Sequence, residues 1–284
     1  TTVIAKTTGY LAGSIKQGGT FYVYANINDA TSGVGTVTAD ISSLVASGGS
    51  VPLSAGSFSV EGVSYNYRSS SQTAKSLLST GSYSITSTDE HGNTATSSAL
   101  PVTIDNTAPF ASDVQTTNVA GGTNGKAELG DTITFTYSEP IDPTSIVSTW
   151  TTGTSNVVVH LIDGGCLVGL CHPDTVEIWD AANSGPLPLG SVNLNTGGYN
   201  GAIVLSLSQN PDITFGATGT ASTMVRSGNS ITVTLGTASS TAHTSVVAAN
   251  MQWTPSTSAY DAAGNGTNAT TPATESGSTA DNEF

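Results

Sequence analysis

Hydrophobic and polar residues alternate along short stretches of this chain, and Gly, Asn, Asp and Ser interrupt them. Thr20 to Ile27 places Phe21, Val23, Ala25 and Ile27 on one face and Tyr22, Tyr24 and Asn26 on the other. That period of two predicts a strand. The turn Asn28-Asp29-Ala30-Thr31-Ser32-Gly33 follows, and alternation resumes from Val34 to Ile41. Further strands are expected at Phe58–Val60, Val63–Tyr67, Ser82–Ser87 and Ala95–Ile104. The acidic turn Asp89-Glu90-His91-Gly92-Asn93 sits between the last two.

About seven short strands before residue 105 is the count of an immunoglobulin-like sandwich. Asp105-Asn106-Thr107-Ala108-Pro109 ends that run. Pro109 fixes its own φ and pushes Ala108 towards an extended conformation, so a short, stiff joint is expected. Beyond it, strands are expected at Thr132–Tyr137, Val157–Leu161, Thr175–Trp179, Ala202–Leu207 and Ser230–Leu235. A plain sandwich needs only about 100 residues, so the second is larger and elaborated. The expected fold is all-β: tandem immunoglobulin-like β-sandwiches. Residues 1–12 form a leading strand segment, 13–105 the first sandwich, 106–109 a linker and 110–284 the second sandwich.

Composition narrows the function. Small and β-branched residues suit pleated strands, and stretches at helical spacing are missing. Twenty acids against six bases give a net charge of −14. That charge disfavours nucleic-acid partners and anionic membrane surfaces. No stretch approaches the ~20 apolar residues of a membrane span. The chain begins Thr1-Thr2-Val3, as expected of a secreted protein whose signal peptide has been removed.

Several motifs together resemble bacterial immunoglobulin-like repeat domains of extracellular and surface proteins. They are Asn28 to Val34, Ser87 to Asn93 and Val102 to Pro109; Tyr65-Asn66-Tyr67-Arg68 is similar to a recurring strand of such modules in actinobacterial surface proteins. Thr134 to Pro143 with Asp261-Ala262-Ala263-Gly264-Asn265 resembles a second type of the same class. The resemblance covers nearly the whole chain and rests on the order of the motifs. It implies a scaffold used in adhesins, surface layers and stalks. His91, where the common turn has a small residue, and the insertion around the cysteines depart from the pattern.

The oxygen-bearing turns offer the first candidate chemistry. Asp29, Asp89, Asn93 and Asp105 lie at turns or strand ends, where they can gather at one pole and hold a structural Ca²⁺. The same residues equally make turns by bonding their own backbone. Glu139, Asp142, Asp261 and Asn265 invite the same two readings. Cys166 and Cys171 are the two cysteines. A disulfide-closed hairpin loop is expected; zinc or copper ligation by Cys166, Cys171, His160 and His172 is the other reading. Asn265-Gly266-Thr267 and Asn268-Ala269-Thr270 are N-glycosylation sequons. Trp150, Trp179 and Trp253 either present a sugar platform or, for at least two of them, fill the core. Lys6 and Lys16 raise the idea of isopeptide bonds, against ordinary exposed lysines.

No catalytic residues are assigned, because no nucleophile elbow or metal-binding helix motif occurs. The expectation is a non-enzymatic extracellular structural protein, the repeating subunit of a filament, pilus-like fibre or surface array. Its partners are copies of itself, and surface glycans or cell wall. Assembly runs by strand addition, with Val3, Ile4 and Ala5 of the leading segment as donor strand, paired either in its own chain or in a neighbour. No cofactor is required. The alternative is a monomeric surface adhesin or carbohydrate-binding module.

Overall fold

A computed structural model describes residues 1–167, 170–201, 210–245, 247–277 and 282–284, with the side chains of residues 166–171 excluded. The protein is all-β, with two large sheets and one short 3-10 turn among the described residues. The chain divides into two compact units. Unit 1 is Thr1–Ala108 with Tyr260–Asn265; unit 2 is Pro109–Ala259 with Gly266–Phe284. The chain therefore passes between units three times, and a six-residue piece of the expected second sandwich belongs to the first.

Unit 1 carries β1 (Thr2–Lys6), β2 (Ser14–Ile15), β3 (Thr20–Ala25), β4 (Val34–Asp40), β5 (Ser50–Val60), β6 (Val63–Ser69), β7 (Gln72–Thr73), β8 (Gly81–Asp89), β9 (Thr94–Thr96) and β10 (Leu100–Ile104). They form one sheet in the order β1-β3-β6-β5-β4-β8-β10-β2, with β7 on β3 and β9 on β8. The pairings are antiparallel except β10 with β2. The ends of this path approach each other, because Gly13 N–H donates to the Ile4 carbonyl at 2.7 Å. The sheet thus curls nearly to closure. Phe21, Val23 and Ala25 are fully buried, as the alternation predicts. Tyr24, assigned to the polar face, is buried too. It packs in a second small cluster with Ala5, Val60 and Tyr65, because neighbouring strands bring aromatics to that face. The strand expected over Ala95–Ile104 splits into β9 and β10.

Unit 2 carries β11 (Ala111–Thr117), β12 (Thr132–Tyr137), the 3-10 turn (Pro143–Ser145), β13 (Thr154–Ile162), β14 (Cys166–Leu167), β15 (Leu170–Cys171), β16 (Thr175–Asp180), β17 (Pro186–Asn193), β18 (Ile213–Phe215), β19 (Ser222–Ser227), β20 (Ser230–Thr234), β21 (Gln252–Thr254) and β22 (Ala273–Thr274). The sheet order is β11-β12-β20-β19-β13-β16-β17-β21-β22, with β18 added to β13. Its ends also meet: Ser276 N–H donates to Asp113 Oδ1 at 2.8 Å. The core centres on Trp253, fully buried, with Phe135 and Tyr137 edge-on at ring distances of 5.1 and 4.8 Å. Trp150 is buried as well, so two of the three tryptophans fill the core. The strand expected over Ala202–Leu207 lies outside the described residues. No described helix is long and apolar enough to cross a membrane.

Candidate functional site: acidic turns and a clasped loop

Asp89-Glu90-His91-Gly92-Asn93 reverses the chain between β8 and β9, and one carboxylate holds it. Asp89 Oδ1 accepts from the amides of His91 at 2.9 Å and Asn93 at 2.7 Å, and Oδ2 accepts from Asn93 Nδ2 at 2.7 Å. The Asp89 amide in turn donates to the Asn93 carbonyl at 2.9 Å. Gly92 adopts φ 89°, a conformation that L side chains rarely take. Hydrogen bonds to the charged form favour ionisation. Asn93 first, then Ser32 and the turn amides, therefore hold the Asp89 carboxyl down at about 2, against its own desolvation.

Asp261-Ala262-Ala263-Gly264-Asn265 repeats this construction in unit 1. Asp261 Oδ1 accepts from the amides of Gly264 at 2.6 Å and Asn265 at 2.8 Å, and Oδ2 accepts from Asn265 Nδ2 at 2.8 Å. Its amide donates to the Asn265 carbonyl at 3.1 Å, and Gly264 has φ 92°. A variant occurs in unit 2 at Asp180 to Ser184. Asp180 Oδ1 accepts from the Ser184 amide at 2.9 Å and Oδ2 from the Ser184 hydroxyl, while Asn183 takes the positive φ of 56°. Ser184's bonds lower the Asp180 pKa.

The four residues considered for calcium separate into two places in unit 1. Asp29 Oδ1 accepts from the amides of Thr31 and Ser32 at 2.9 and 3.1 Å. These bonds, Ser32's first, lower its pKa. The Ser32 hydroxyl lies 2.8 Å from Asp29 Oδ2 and 2.8 Å from Asp89 Oδ2. A hydroxyl has one proton to give, so the Asp29 and Asp89 carboxylates share that of Ser32, while Asn93 presents N–H groups to Asp89. Asp105 is elsewhere: its carboxylate accepts from the Thr107 amide at 3.0 Å and lies within 4.8 Å of the Asp261 carboxylate.

Residues 260–265 are clasped into unit 1 by side chains of its first strands. Lys6, 8% exposed, donates to the Ala262 carbonyl at 3.0 Å and sits 5.4 Å from the Tyr260 ring centre. Lys16 donates to the Gly264 carbonyl. Asn265 Nδ2 also donates to the Asp105 carbonyl at 2.9 Å. Asn265 is buried, so its sequon is closed to a glycosyltransferase in the folded chain; Asn268 is exposed. Both lysines grip a loop that sequence alone does not bring near them.

Val3, Ile4 and Ala5 lie on β1, which pairs with β3 of the same chain: Val3 opposite Tyr24, Ile4 opposite Val23, Ala5 opposite Tyr22. Cys166 stands directly opposite Cys171 in the hairpin of β14 and β15. Opposed residues of an antiparallel pair have Cα atoms about 4.5–5.5 Å apart, inside the disulfide range. The cysteine side chains and the loop tip at 168–169 lie outside the described structure. His160 is turned to other partners, Asp212 Oδ2 at 3.1 Å and Asn183 Oδ1 at 2.6 Å, and it stacks on Trp179 at 4.2 Å. His172 is exposed.

Among the described residues, Asp131, Asp163, Asp174 and Glu283 are buried carboxylates that escaped the sequence reading. Asp131 accepts from the amides of Val119 and Glu128 at 2.8 and 2.6 Å. Asp174 accepts from those of Gly164, Tyr199 and Asn200 at 3.1, 2.8 and 3.1 Å. Asp163 receives the Gly165 amide and both the amide and side chain of Asn210 at 2.7–2.8 Å. Burial pushes the Asp131 and Asp174 carboxyls up despite their bonds. Asp163 before a Gly pair and Asp131 after Gly130 are turn signals, yet the distant amides they bind carry no local signature. No family model matches the chain, and no curated protein matches it either.

Proposed function

We propose that the chain is a non-enzymatic structural protein of the cell exterior, built of tandem immunoglobulin-like sandwiches and serving as the repeating subunit of a fibre or surface array. One observation carries this reading: the polar side chains that catalysis or ligation would use instead brace the scaffold. Asp89, Asp180 and Asp261 clamp turns, Asp131 and Asp174 bind distant amides, and Lys6 and Lys16 grip a loop. The opposed cysteines and the acidic composition support an extracellular setting, where a Cys166–Cys171 disulfide closes the hairpin. In the assembled form β1 leaves its own sheet and takes the same register on β3 of a neighbour, an exchange of identical elements. A Ca²⁺ beside Asp29 and Asp89 would offset the negative charge of two carboxylates that share the single Ser32 hydroxyl proton, without releasing the turn amides they hold.

Negative-stain electron microscopy tests this reading on the full chain, with and without a calcium chelator, and on a chain lacking residues 1–12. Fibres from the full chain and none from the truncated one are expected. Fibres from both would remove strand exchange, and isolated particles throughout would remove the polymer. A second reading, a glycan-binding adhesin, is favoured by the partly exposed Tyr22 and Phe58. They flank the Arg68 guanidinium at 4.4 Å from each ring, a surface of the kind that sugars stack on.

A further inference from the structure

Four of the chain's cations have partners that account for their placement. Lys126 pairs with Glu128 at 2.7 Å, Lys6 and Lys16 bind loop carbonyls, and Arg68 lies between two rings. Arg226 is different. It sits on β19, on the face of the buried Ser222 and Met224, and reaches the rim of the unit 2 core half-exposed. Among the described residues, its guanidinium makes one hydrogen bond, a long contact to the Gly228 carbonyl at 3.4 Å, and pairs with no carboxylate.

This guanidinium lines a cavity of about 200 Å³ with Pro143, Trp150, Thr151, Thr152 and Gly153. The pocket is built rather than incidental. Trp150 is buried and its Nε1–H donates to the Gly153 carbonyl at 3.0 Å, fixing the loop that forms the wall. Gly153 turns that loop with φ 69°. The hydroxyls of Thr151 and Thr152 are exposed and bond no described residue. A planar cation with five donors thus shares a small pocket with two threonines whose hydroxyls are idle.

We infer that this pocket binds the carboxylate of an acidic sugar, one uronate residue of a surface polysaccharide. The guanidinium fork matches a carboxylate in two parallel bonds, and the threonine hydroxyls match ring hydroxyls as donors or acceptors. The volume lies below the ~300–1,000 Å³ of drug-sized sites, which limits the occupant to about one ring. A net charge of −14 repels polyanions such as nucleic acid, so the favoured ligand is a polysaccharide whose uronate residues are separated by neutral sugars. The site does not depend on whether the chain polymerises.

The test is a two-dimensional amide NMR titration of the full chain with sodium glucuronate, glucose and sodium acetate in parallel. Saturable shifts at Thr151, Thr152 and Gly153 are expected with glucuronate, none with glucose, and at least 10-fold weaker ones with acetate. Arg226→Gln should weaken glucuronate binding about 10- to 100-fold, the worth of a charge-assisted pair, with an unchanged melting temperature. Thr151→Val, at an exposed position, should weaken glucuronate and leave acetate untouched. Absence of saturable glucuronate shifts, glucose binding as tightly as glucuronate, acetate equal to glucuronate, or a folded Arg226→Gln protein that binds normally would each overturn the assignment.

Discussion

Replacing Ile4 by Ala tests whether β1 belongs to the sheet of its own chain. Ile4 is 2% exposed and packs in the main core of unit 1 with Phe21 and Val23. It stands opposite Val23 on β3, and its carbonyl takes the Gly13 amide that draws the sheet ends together. The substitution removes three carbon groups, about 0.8 kcal/mol each in transfer free energy, or about 2.4 kcal/mol. Space left unfilled raises the loss to about 3 kcal/mol, within the 2–5 kcal/mol typical of such truncations. For a unit of about 110 residues, 1 kcal/mol corresponds to about 4 °C, so the unit 1 transition should fall by about 12 °C. Differential scanning calorimetry on the monomer fraction measures it, repeated over a 20-fold range of concentration. The shift should not depend on concentration, because the five β1–β3 residue pairs form within one chain. A fall under about 2 °C would refute the assigned packing, and a concentration-dependent midpoint would mean that β1 already sits in another copy.

Trp253→Phe removes the indole N–H that donates to the buried Leu189 carbonyl at 2.7 Å. Leaving that carbonyl unpaired costs about 1–3 kcal/mol before any packing loss, read as a lower urea midpoint for unit 2. Asp89→Asn is a pH experiment. The Asp89 pKa is lowered from 3.8 to about 2, so its stabilisation is complete above the unfolded value of 3.8 and is lost as pH falls through about 2. The stability gap between wild type and Asp89→Asn should be constant from pH 5 to 7 and close towards pH 2; a gap that widens in acid would contradict the clamp. For Asp131 and Asp174, raised by burial, the sign is opposite: their contribution is full below 3.8 and is lost as pH rises through the folded value. Lys6→Met keeps the buried stem and removes the ammonium from the Ala262 carbonyl. Limited proteolysis should then cut within residues 260–265 faster than in wild type, with cutting elsewhere unchanged.

The strands that were legible in the sequence are those in which large apolar residues alternate with polar ones. β12 and β20 bury every second side chain, and β3, β4 and β16 bury the apolar side of their alternation: Phe21, Val23 and Ala25; Val37 and Ala39; Val176 and Ile178. The strands that were missed lack that contrast. β17 contains Pro186, Pro188 and Gly190 and reads as a loop, and β5 runs through Ser-Ala-Gly-Ser, so only its end, Phe58–Val60, reads as a strand. Their conformation comes from neighbours: β5 pairs with β4 near its start and with β6 along its length, shifting register between Ala55 and Phe58. Turn chemistry was legible where it is local, as at Asp89 and Asp261. The partners of Lys6 and Asp174, and the pocket neighbours of Arg226, were not, because contacts over long sequence separations leave no pattern in either segment. That is why residues 260–265 read as a turn of the second sandwich and group with the first unit.

The recurring Asp-x-x-Gly-Asn turn supplies a physical reason for so low a charge content with so acidic a balance. A carboxylate offers about four acceptor sites and no donor, which suits a tight turn that exposes two or three amides at once. A lysine cannot do this, and an amide side chain does it with half the oxygens. Asp89 and Asp261 each take two amides and one side-chain N–H, with Gly at the positive-φ position. Asp180 shows which parts of the motif are essential. Asn183 replaces Gly at φ 56° and Ser184 replaces Asn as the side-chain donor, while the carboxylate stays. Asn tolerates the left-handed region better than other side-chain-bearing residues. The aspartate is therefore the invariant element and the glycine is replaceable. Gly264→Asn should accordingly preserve the fold of unit 1, whereas Gly264→Val, β-branched at a φ of 92°, should destabilise it by about 1–3 kcal/mol. Equal stability of the two variants in chemical denaturation would show that position 264 does not need a residue tolerant of positive φ, and would refute this reading of the turn.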